Sequence, residues 1–284
     1  MLYATVSVAE VRDVGPHLRR ITLEGGDLAG FRSMAPDQQV KLFFARDGGV
    51  PELPGTPSDM SEVPDWYARY LAMPDETRPW MRTYSVRRAT PEAHRVEIDF
   101  VLHTDTAGPA SRWAAQARPG QVIGLLGPAQ SRYRCPERGD PLLFAGDETA
   151  LPAIAAWLES LSADDRASAH IEVAGPEDEQ ELASTADVTV YWHHRGGAAP
   201  GTSEVLLDGV RAAEPSAPLF AWIAGEASMV RELRRYLVGE RGLDKRAVAF
   251  TGYWRRQLTQ DDAPTAEDAT DAAEIMTDLE TQET

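Results

Sequence analysis

Along the first part of the chain, apolar residues recur at every second position or in brief apolar blocks. Six runs carry this pattern: YATVSVAEV (3–11), LRRITLE (18–24), VKLFFA (40–45), RTYSVRR (82–88), RVEIDFVL (95–102) and QVIGLL (121–126). Successive side chains of a strand point to opposite faces, so a period of two predicts β-strands. Six short strands with little helix between them predict a closed antiparallel β-barrel. Residues 46–81 interrupt the series with a long insert rich in Pro and acids, within which VPDWYARYLAMP has the makings of a short helix. An insert of that length in a compact domain is a lid, a binding loop or a disordered segment.

From about residue 139 the period changes. PLLFAGD, AHIEVAG, DVTVYW, PLFAWIAGE and RAVAFTGYW read as strands, and ETALPAIAAWLESL, EDEQELAS, SEVLLDGVRAA and ASMVRELRRYLVGE, placed between them, read as helices. Alternation of strand and helix predicts a parallel sheet with right-handed crossovers, whose ligands bind at the carboxyl ends of the strands. Two loops at those ends, AGDETALP (145–152) and AGEAS (224–228), pass through a Gly-containing turn into a helix start. Exposed amides at such a start are a seat for a phosphate or a polar ring edge. The dinucleotide pattern G-x-G-x-x-G and the phosphate loop ending in Gly-Lys-Ser/Thr are both absent from the sequence. The expected division is a β-barrel domain at 1–138, an α/β domain at 139–256 and a tail at 257–284.

Composition narrows the function. A chain of 284 residues with 43% hydrophobic content is long enough for two buried cores. Its formal net charge of −17 argues against nucleic acid and anionic membrane as partners. Part of that charge is local, since nine acids and no Lys or Arg follow Arg256. Solubility explains such a tail. Cys135 is the only cysteine, which leaves no intrachain disulfide and no thiolate cluster. The first fifteen residues read as a strand, not as a signal peptide, and no apolar run approaches the ~18 residues of a membrane span. The expectation is a cytoplasmic protein. Asn is missing altogether, and Lys occurs twice, at Lys41 and Lys245, against 26 Arg.

Two stretches carry chemistry. In WMRTYSVRR (80–88), strand alternation sets Arg82 and Tyr84 on one face and Thr83 and Ser85 on the other. A guanidinium beside an aromatic ring suits a ligand with a phosphate at one end and a flat ring at the other; an edge strand with a solvated Arg has the same sequence. In HTDTAGPASRWAAQARPG (103–120), Gly108-Pro109 opens a helix that ends before Pro119-Gly120. Small residues Gly108, Ala110 and Ser111 leave backbone amides open to an anion.

MRTYSVR, VEIDFVLHTDTAGPASRWAAQARPG, LFAGDETALPAIAAWLE, WIAGEASMVRELRRYL and TGYWRR occur in an order and at spacings similar to the siderophore-interacting proteins. These are FAD-dependent ferric-siderophore reductases within the ferredoxin–NADP reductase superfamily, and the resemblance covers about 1–256. It implies an FAD-binding barrel followed by an NAD(P)H-binding domain. It implies that Arg82 pairs with the FAD pyrophosphate, that Tyr84 lies against the isoalloxazine or ribityl part, and that Ser85 approaches the flavin N5 edge. His103, Gly108, Ala110 and Ser111 would line the ribityl–pyrophosphate path. Asp147, Glu148, Thr149 and Ala150 correspond to the loop that receives the nicotinamide and its phosphates, and Gly225, Glu226 and Ser228 to a second nucleotide loop. Arg195, in HHRGG, is a candidate for a ribose 2′-phosphate and equally a solvated loop residue. Adjacent His193 and His194 face opposite ways on an extended segment, and no metal site is expected.

For the substrate, the resemblance implies a basic pocket for a ferric siderophore, with Lys41 and Arg255 at two of the family's basic positions. A third falls in a turn that here reads Gly127-Pro128-Ala129-Gln130-Ser131, without the Arg; Arg132 or Arg134 could supply that charge. No acid–base catalytic residue is implied, because the flavin carries the redox chemistry. The competing readings are a flavoprotein of the same fold reduced by ferredoxin, a redox-inactive siderophore-binding protein, and a generic flavin reductase. A monomer is expected.

Overall fold

The computed structural model describes residues 2–55, 57, 60–102, 108–129, 136, 139–214, 219–256, 258, 266, 270 and 273. They fall into two compact units, 1–131 and 132–284. In the first, seven strands form one antiparallel sheet: β1 (Leu2–Gly15), β2 (Leu18–Glu24), β3 (Gln39–Phe44), β4 (Trp80–Ser85), β5 (Arg88–Thr90), β6 (Arg95–Val101) and β7 (Val122–Ala129). Their order is β4-β3-β7-β1-β2-β6-β5. The sheet curls so that β4 returns beside β6, giving a half-barrel. Its inner face buries Ala4, Val6 and Val8 of β1, Val40, Leu42 and Phe44 of β3, and Ile98 and Phe100 of β6, the i, i+2 positions that alternation predicts.

The strand count exceeds the expected six. RTYSVRR does not run straight through to Arg88; β4 ends at Ser85, and Arg88–Thr90 pairs as β5 with β6. A single turn at Pro91–Ala93 and a left-handed His94 (φ 53°) close this hairpin.

Part of the insert packs against the outer face. Helix α1 (Val63–Leu71) carries Pro64 in its first turn and turns Trp66 and Tyr70 inward. They pack with Phe43, Met81 and Leu126 in a second cluster, anchored by Trp66 Nε1 donating to Gly55 O (2.8 Å) and Tyr70 OH to Pro79 O (2.7 Å). Thus β3 is covered on both faces, which is why VKLFF reads as an apolar block instead of a clean alternation.

The second unit holds five parallel strands, β8 (Leu142–Gly146), β9 (Arg166–Val173), β10 (Asp187–His194), β11 (Phe220–Glu226) and β12 (Val248–Trp254), in the order β10-β9-β8-β11-β12. Helices α3 (Leu151–Ser160), α4 (Val205–Ala212) and α5 (Ala227–Arg235) provide crossovers, and α2 (Pro109–Ala115) belongs to the first unit. EDEQELAS forms only one helical turn, at Pro176–Asp178. Beyond it, Ser184 Oγ and Thr185 Oγ1 donate to Leu158 O and Leu161 O, at 2.7 and 2.8 Å. Those two carbonyls at the end of α3 gain partners that a further helix there would not give them. The strand order reverses at the parallel pair β8 and β11, which makes the carboxyl ends of these two strands the topological switch point.

Candidate active site

In the first unit the site is built on β4. Its register against β3 pairs Leu42 with Arg82, Val40 with Tyr84 and Lys41 with Thr83. Paired residues share a face, so Arg82 and Tyr84 lie on one side of β4, and Thr83 and Ser85 share the other with Lys41. The Tyr84 ring packs on Phe100 at 4.5 Å, and Phe100 packs on Trp113 of α2 at 5.6 Å. Burial pushes the Tyr84 phenol up, with the Arg82 charge partly opposing it. Arg82 donates to Met81 O at 2.8 Å. Helix α2 starts at Pro109, with Gly108 extended before it, Arg112 N donating to Gly108 O, and Ala110 and Ser111 buried. One aromatic chain therefore joins the Arg82–Tyr84 face to the GPAS turn.

Lys41 extends into an apolar setting. Its partner among the described residues is Thr83 Oγ1 at 3.4 Å, and burial alone lowers its pKa. An ammonium whose partner among the described residues is a neutral hydroxyl attracts an anion.

In the second unit Asp147 organises the end of β8. Its Oδ1 accepts from Thr149 N (2.9 Å) and Thr149 Oγ1 (2.5 Å), and its Oδ2 from Glu226 N (2.9 Å) and Trp254 Nε1 (2.8 Å). Gly146 lets β8 and β11 come this close, since a Cβ there would stand 2.4 Å from Ala224 O. Gly225 has φ +139°, and a Cβ on it would stand 2.8 Å from the Asp147 carboxylate. Glu226 caps α5 by accepting from Ser228 N (2.7 Å), Met229 N (3.2 Å) and the Ser228 hydroxyl. The amides expected to seat a phosphate in AGEAS are thus engaged by the chain's own carboxylate.

Arg195, after β10, buries its side chain and makes a bidentate pair with Glu148, at 2.7 and 2.8 Å, with Glu172 of β9 at 3.9 Å. Its guanidinium therefore ties the DETALP loop to the neighbouring strand ends. Burial and the Asp147 charge push Glu148 up, while Arg195 pulls it down. The same burial and Asp147, again opposed by Arg195, push Glu172 up to about 7.

Histidines continue this polar stripe. His170 is buried, stacks on Tyr191 (4.6 Å), and sets Nδ1 at 3.1 Å from His193 Nε2. Gly209 of α4 makes the room: a Cβ there would meet His193 Cε1 at 1.9 Å. His194 turns the other way, to Glu179 at 2.7 Å.

Comparison with known proteins decides the family. Residues 7–132 match the family model of the siderophore-interacting FAD-binding domain, and 139–257 that of the siderophore-interacting protein. A siderophore utilization protein from T. fusca is 38% identical, with a TM-score of 0.76 over 92% of this chain and 95% of that one. The chain belongs to the siderophore-interacting protein family. The ferric vibriobactin reductase ViuB of Vibrio cholerae is 28% identical, covering 86% of each chain. An NADPH-dependent ferric-chelate reductase of Escherichia coli is also 28% identical, over 89% of this chain and 92% of its own. At the level of fold, a ferredoxin reductase in carbazole 1,9a-dioxygenase shares a TM-score of 0.63 at 16% identity, over 89% of this chain and 69% of that one.

The residues of this siderophore-interacting family member fit FAD on the chemistry of the donor set. Arg82, Tyr84 and the buried Ser111 offer a cation, a ring and a hydroxyl, joined through Phe100 and Trp113. Asp147, Glu148, Thr149 and Ala150 come together with Gly225, Glu226 and Ser228, as two facing loops. Arg255 follows β12, bridged to Leu258. His103, Arg132 and Arg134 lie outside the described residues, as does Cys135. Two members of the second cluster escaped the motif reading. Trp254 was visible in GYWRR without a role, and Glu172 was signalled by an acid inside the apolar run HIEV.

Glu172 gives a pH test. Its folded pKa lies above the ordinary carboxyl value, so its stabilising contribution is complete below that value and is lost as pH rises through about 7. Glu172→Gln mimics the protonated form and should stabilise the second unit by about 1 kcal/mol at high pH. Urea midpoints should differ at alkaline pH and converge in mild acid; equal midpoints under alkaline conditions would remove the strained carboxyl from the account.

Proposed function

We propose that this chain is an FAD-dependent ferric-siderophore reductase that passes electrons from NAD(P)H to siderophore-bound iron(III) and releases iron(II) in the cytoplasm, acting as a monomer. The observation that carries the reading is the β3–β4 pair, with Arg82 and Tyr84 on one face and, on the other, Lys41, whose partner among the described residues is the Thr83 hydroxyl. The relatives named as ferric vibriobactin reductase and NADPH-dependent ferric-chelate reductase support the substrate and the donor. The functional division is FAD binding in 1–138, nicotinamide binding in 139–256, and an acidic tail in 257–284.

Each residue has a role in this reading. Arg82 pairs with the pyrophosphate as a fork that Lys cannot reproduce. Tyr84, packed on Phe100, supports the flat part of the cofactor, Ser85 approaches its N5 edge, and Gly108, Ala110 and Ser111 line the phosphate path. When bound, FAD converts the two-electron hydride of a nicotinamide into single electrons, which iron(III) requires. Asp147 and Glu226 hold the two nucleotide loops in place, and Arg195 serves the site through Glu148, not as a phosphate ligand. Lys41 and Arg255 draw in an anionic ferric complex by local field against a negative protein. Iron needs no protein ligand: hard siderophore oxygens hold iron(III) far better than iron(II), so reduction itself loosens it.

Lys41→Ala tests the substrate side. KM for an anionic ferric siderophore should rise on the order of tenfold, a loss of ~1.4 kcal/mol, with flavin content unchanged. Unchanged kinetics across several siderophores would remove Lys41 from the pocket. On the donor side, NADPH should bleach the flavin bands anaerobically; bleaching by reduced ferredoxin alone would move the donor away from nicotinamide.

A further inference from the structure

Buried charge is out of balance at the carboxyl ends of β8, β9 and β10. Glu148, Glu172 and Arg195 bury their side chains there, at 9, 5 and 5% exposure, and Asp147 is buried beside them. Three carboxyl groups thus share one guanidinium. Asp147 is committed elsewhere, accepting from Thr149, Glu226 N and Trp254 Nε1. Glu148 takes both short bonds of Arg195, and Glu172 reaches the same cation only at 3.9 Å. A buried carboxylate without a close cation is costly, and a proton removes the cost. Of the three acids, Glu172 is the one that the geometry leaves to carry it.

The titratable and charged neighbours on the packed elements have other roles. On β9 and β10, His170 and His193 face each other, Nδ1 to Nε2, at 3.1 Å, and His193 is the cross-strand partner of Glu172. Burial lowers both imidazoles, His170 to about 4, so they are neutral where Glu172 titrates, at about 7. His194 turns away, to Glu179. On α4, Gly209 lies against His193, Asp208 and Arg211 pair with each other on the solvent side, and Glu204 before the helix is exposed. On α3, Glu159 is exposed. After β11, the Glu226 carboxylate caps α5 and accepts from Arg256 N at 3.4 Å, while the Arg256 guanidinium donates to Gly201 O.

Ligands of such sheets lie beyond the carboxyl ends of the strands, and a dinucleotide brings an anionic pyrophosphate there. We propose that Glu172 is a proton-loaded positioning residue of the donor site: its proton leaves Arg195 wholly to Glu148, which fixes the loop after β8, and binding of the anionic dinucleotide draws a proton onto its carboxyl. The added negative charge makes an ionised Glu172 costlier in the complex than in the free protein, so the complex binds the proton more tightly. Reciprocity fixes the pH dependence. Below about 7 the free protein already holds the proton and affinity is constant; as pH rises through about 7 the proton must come from solvent, and affinity falls. This rests on the reductase reading with a nicotinamide donor, and adds the proton that such a donor takes up with it.

Tetrahydro-NADH tests it without electron transfer, since it keeps the pyrophosphate and has no hydride to give. Its binding to the FAD-loaded full chain is followed by calorimetry in buffers of different ionisation enthalpy, which reads the protons taken up. Slightly above neutral pH the parent should take up about half a proton for each nucleotide bound, and its affinity should fall on the order of tenfold from mild acid to alkaline pH. Glu172→Gln should take up none, keep the acid-side affinity throughout, and melt no lower than the parent. His193→Gln should behave as the parent does. Binding without proton uptake in the parent, a reading that needs no variant, overturns the inference. Uptake that survives Glu172→Gln, or that vanishes in His193→Gln, overturns it too. The donor reading fails separately: a parent that neither binds the analogue nor is bleached by NADH overturns both, whereas bleaching with no proton uptake overturns this inference alone.

Discussion

Arg82→Ala should leave a folded protein that purifies almost without flavin. The guanidinium is half-buried on β4, its neighbours Met81 and Ser85 are buried, and the strand is held in register by β3. Truncating it therefore removes charge from the site without opening the core. A bidentate charge-assisted contact is worth about 3 kcal/mol, on the order of a 100-fold loss in FAD affinity. Arg82→Lys should recover only part of this, since an ammonium is a point charge without the planar fork. The ratio of flavin to protein absorbance, together with a melting curve, checks both statements. A variant that keeps its full flavin content would detach Arg82 from the pyrophosphate.

Asp147→Ala should damage the second unit more than any other single change at the site. One buried carboxylate receives two donors from Thr149, one from Glu226 N and one from Trp254 Nε1. Its loss leaves these donors buried and unpaired, at a cost of about 3–5 kcal/mol. It also leaves Glu148, Glu172 and Arg195 without the charge that pushes both glutamates upward. Two results are expected: a lower unfolding midpoint for the second unit, and loss of flavin bleaching by NADPH while FAD stays bound. Asp147→Asn keeps an acceptor for Thr149 and should fall between the two. Bleaching at the parent rate in Asp147→Ala would show that the loop geometry does not matter to the donor.

The sequence showed the fold through periodicity, and it lost detail where tertiary contacts decide. Val40, Leu42, Phe44 and their partners alternate as a curled sheet requires, so the barrel-like unit was readable from residues alone. The hairpin of β5 was not, because its turn is closed by a left-handed His94 instead of the Gly or Asn that signals such turns. VPDWYARYL read as a helix, but its seat on the outer face of β3 depends on Phe43, twenty residues earlier. EDEQELAS has helical composition, and the competing bonds of Ser184 and Thr185 to the end of α3 were invisible in one dimension. At the site, the alternation of Arg82 and Tyr84 followed from strand geometry. The self-capping of the loops after β8 and β11 by Asp147 and Glu226 did not, since motif reading sees a loop and not which way its carboxylates turn.

The measurement that tests the central claim most directly starts from protein whose flavin has been photoreduced without any nicotinamide. Mixed anaerobically with a ferric siderophore in the presence of an iron(II) chelator, it should regain its oxidised flavin spectrum as the iron(II) complex appears, two irons for each flavin. Because no donor is added, the result does not depend on whether NADPH, NADH or ferredoxin serves in the cell. A flavin that stays reduced, with no iron(II) trapped, would contradict the reductase account and leave a protein that binds siderophores without reducing them.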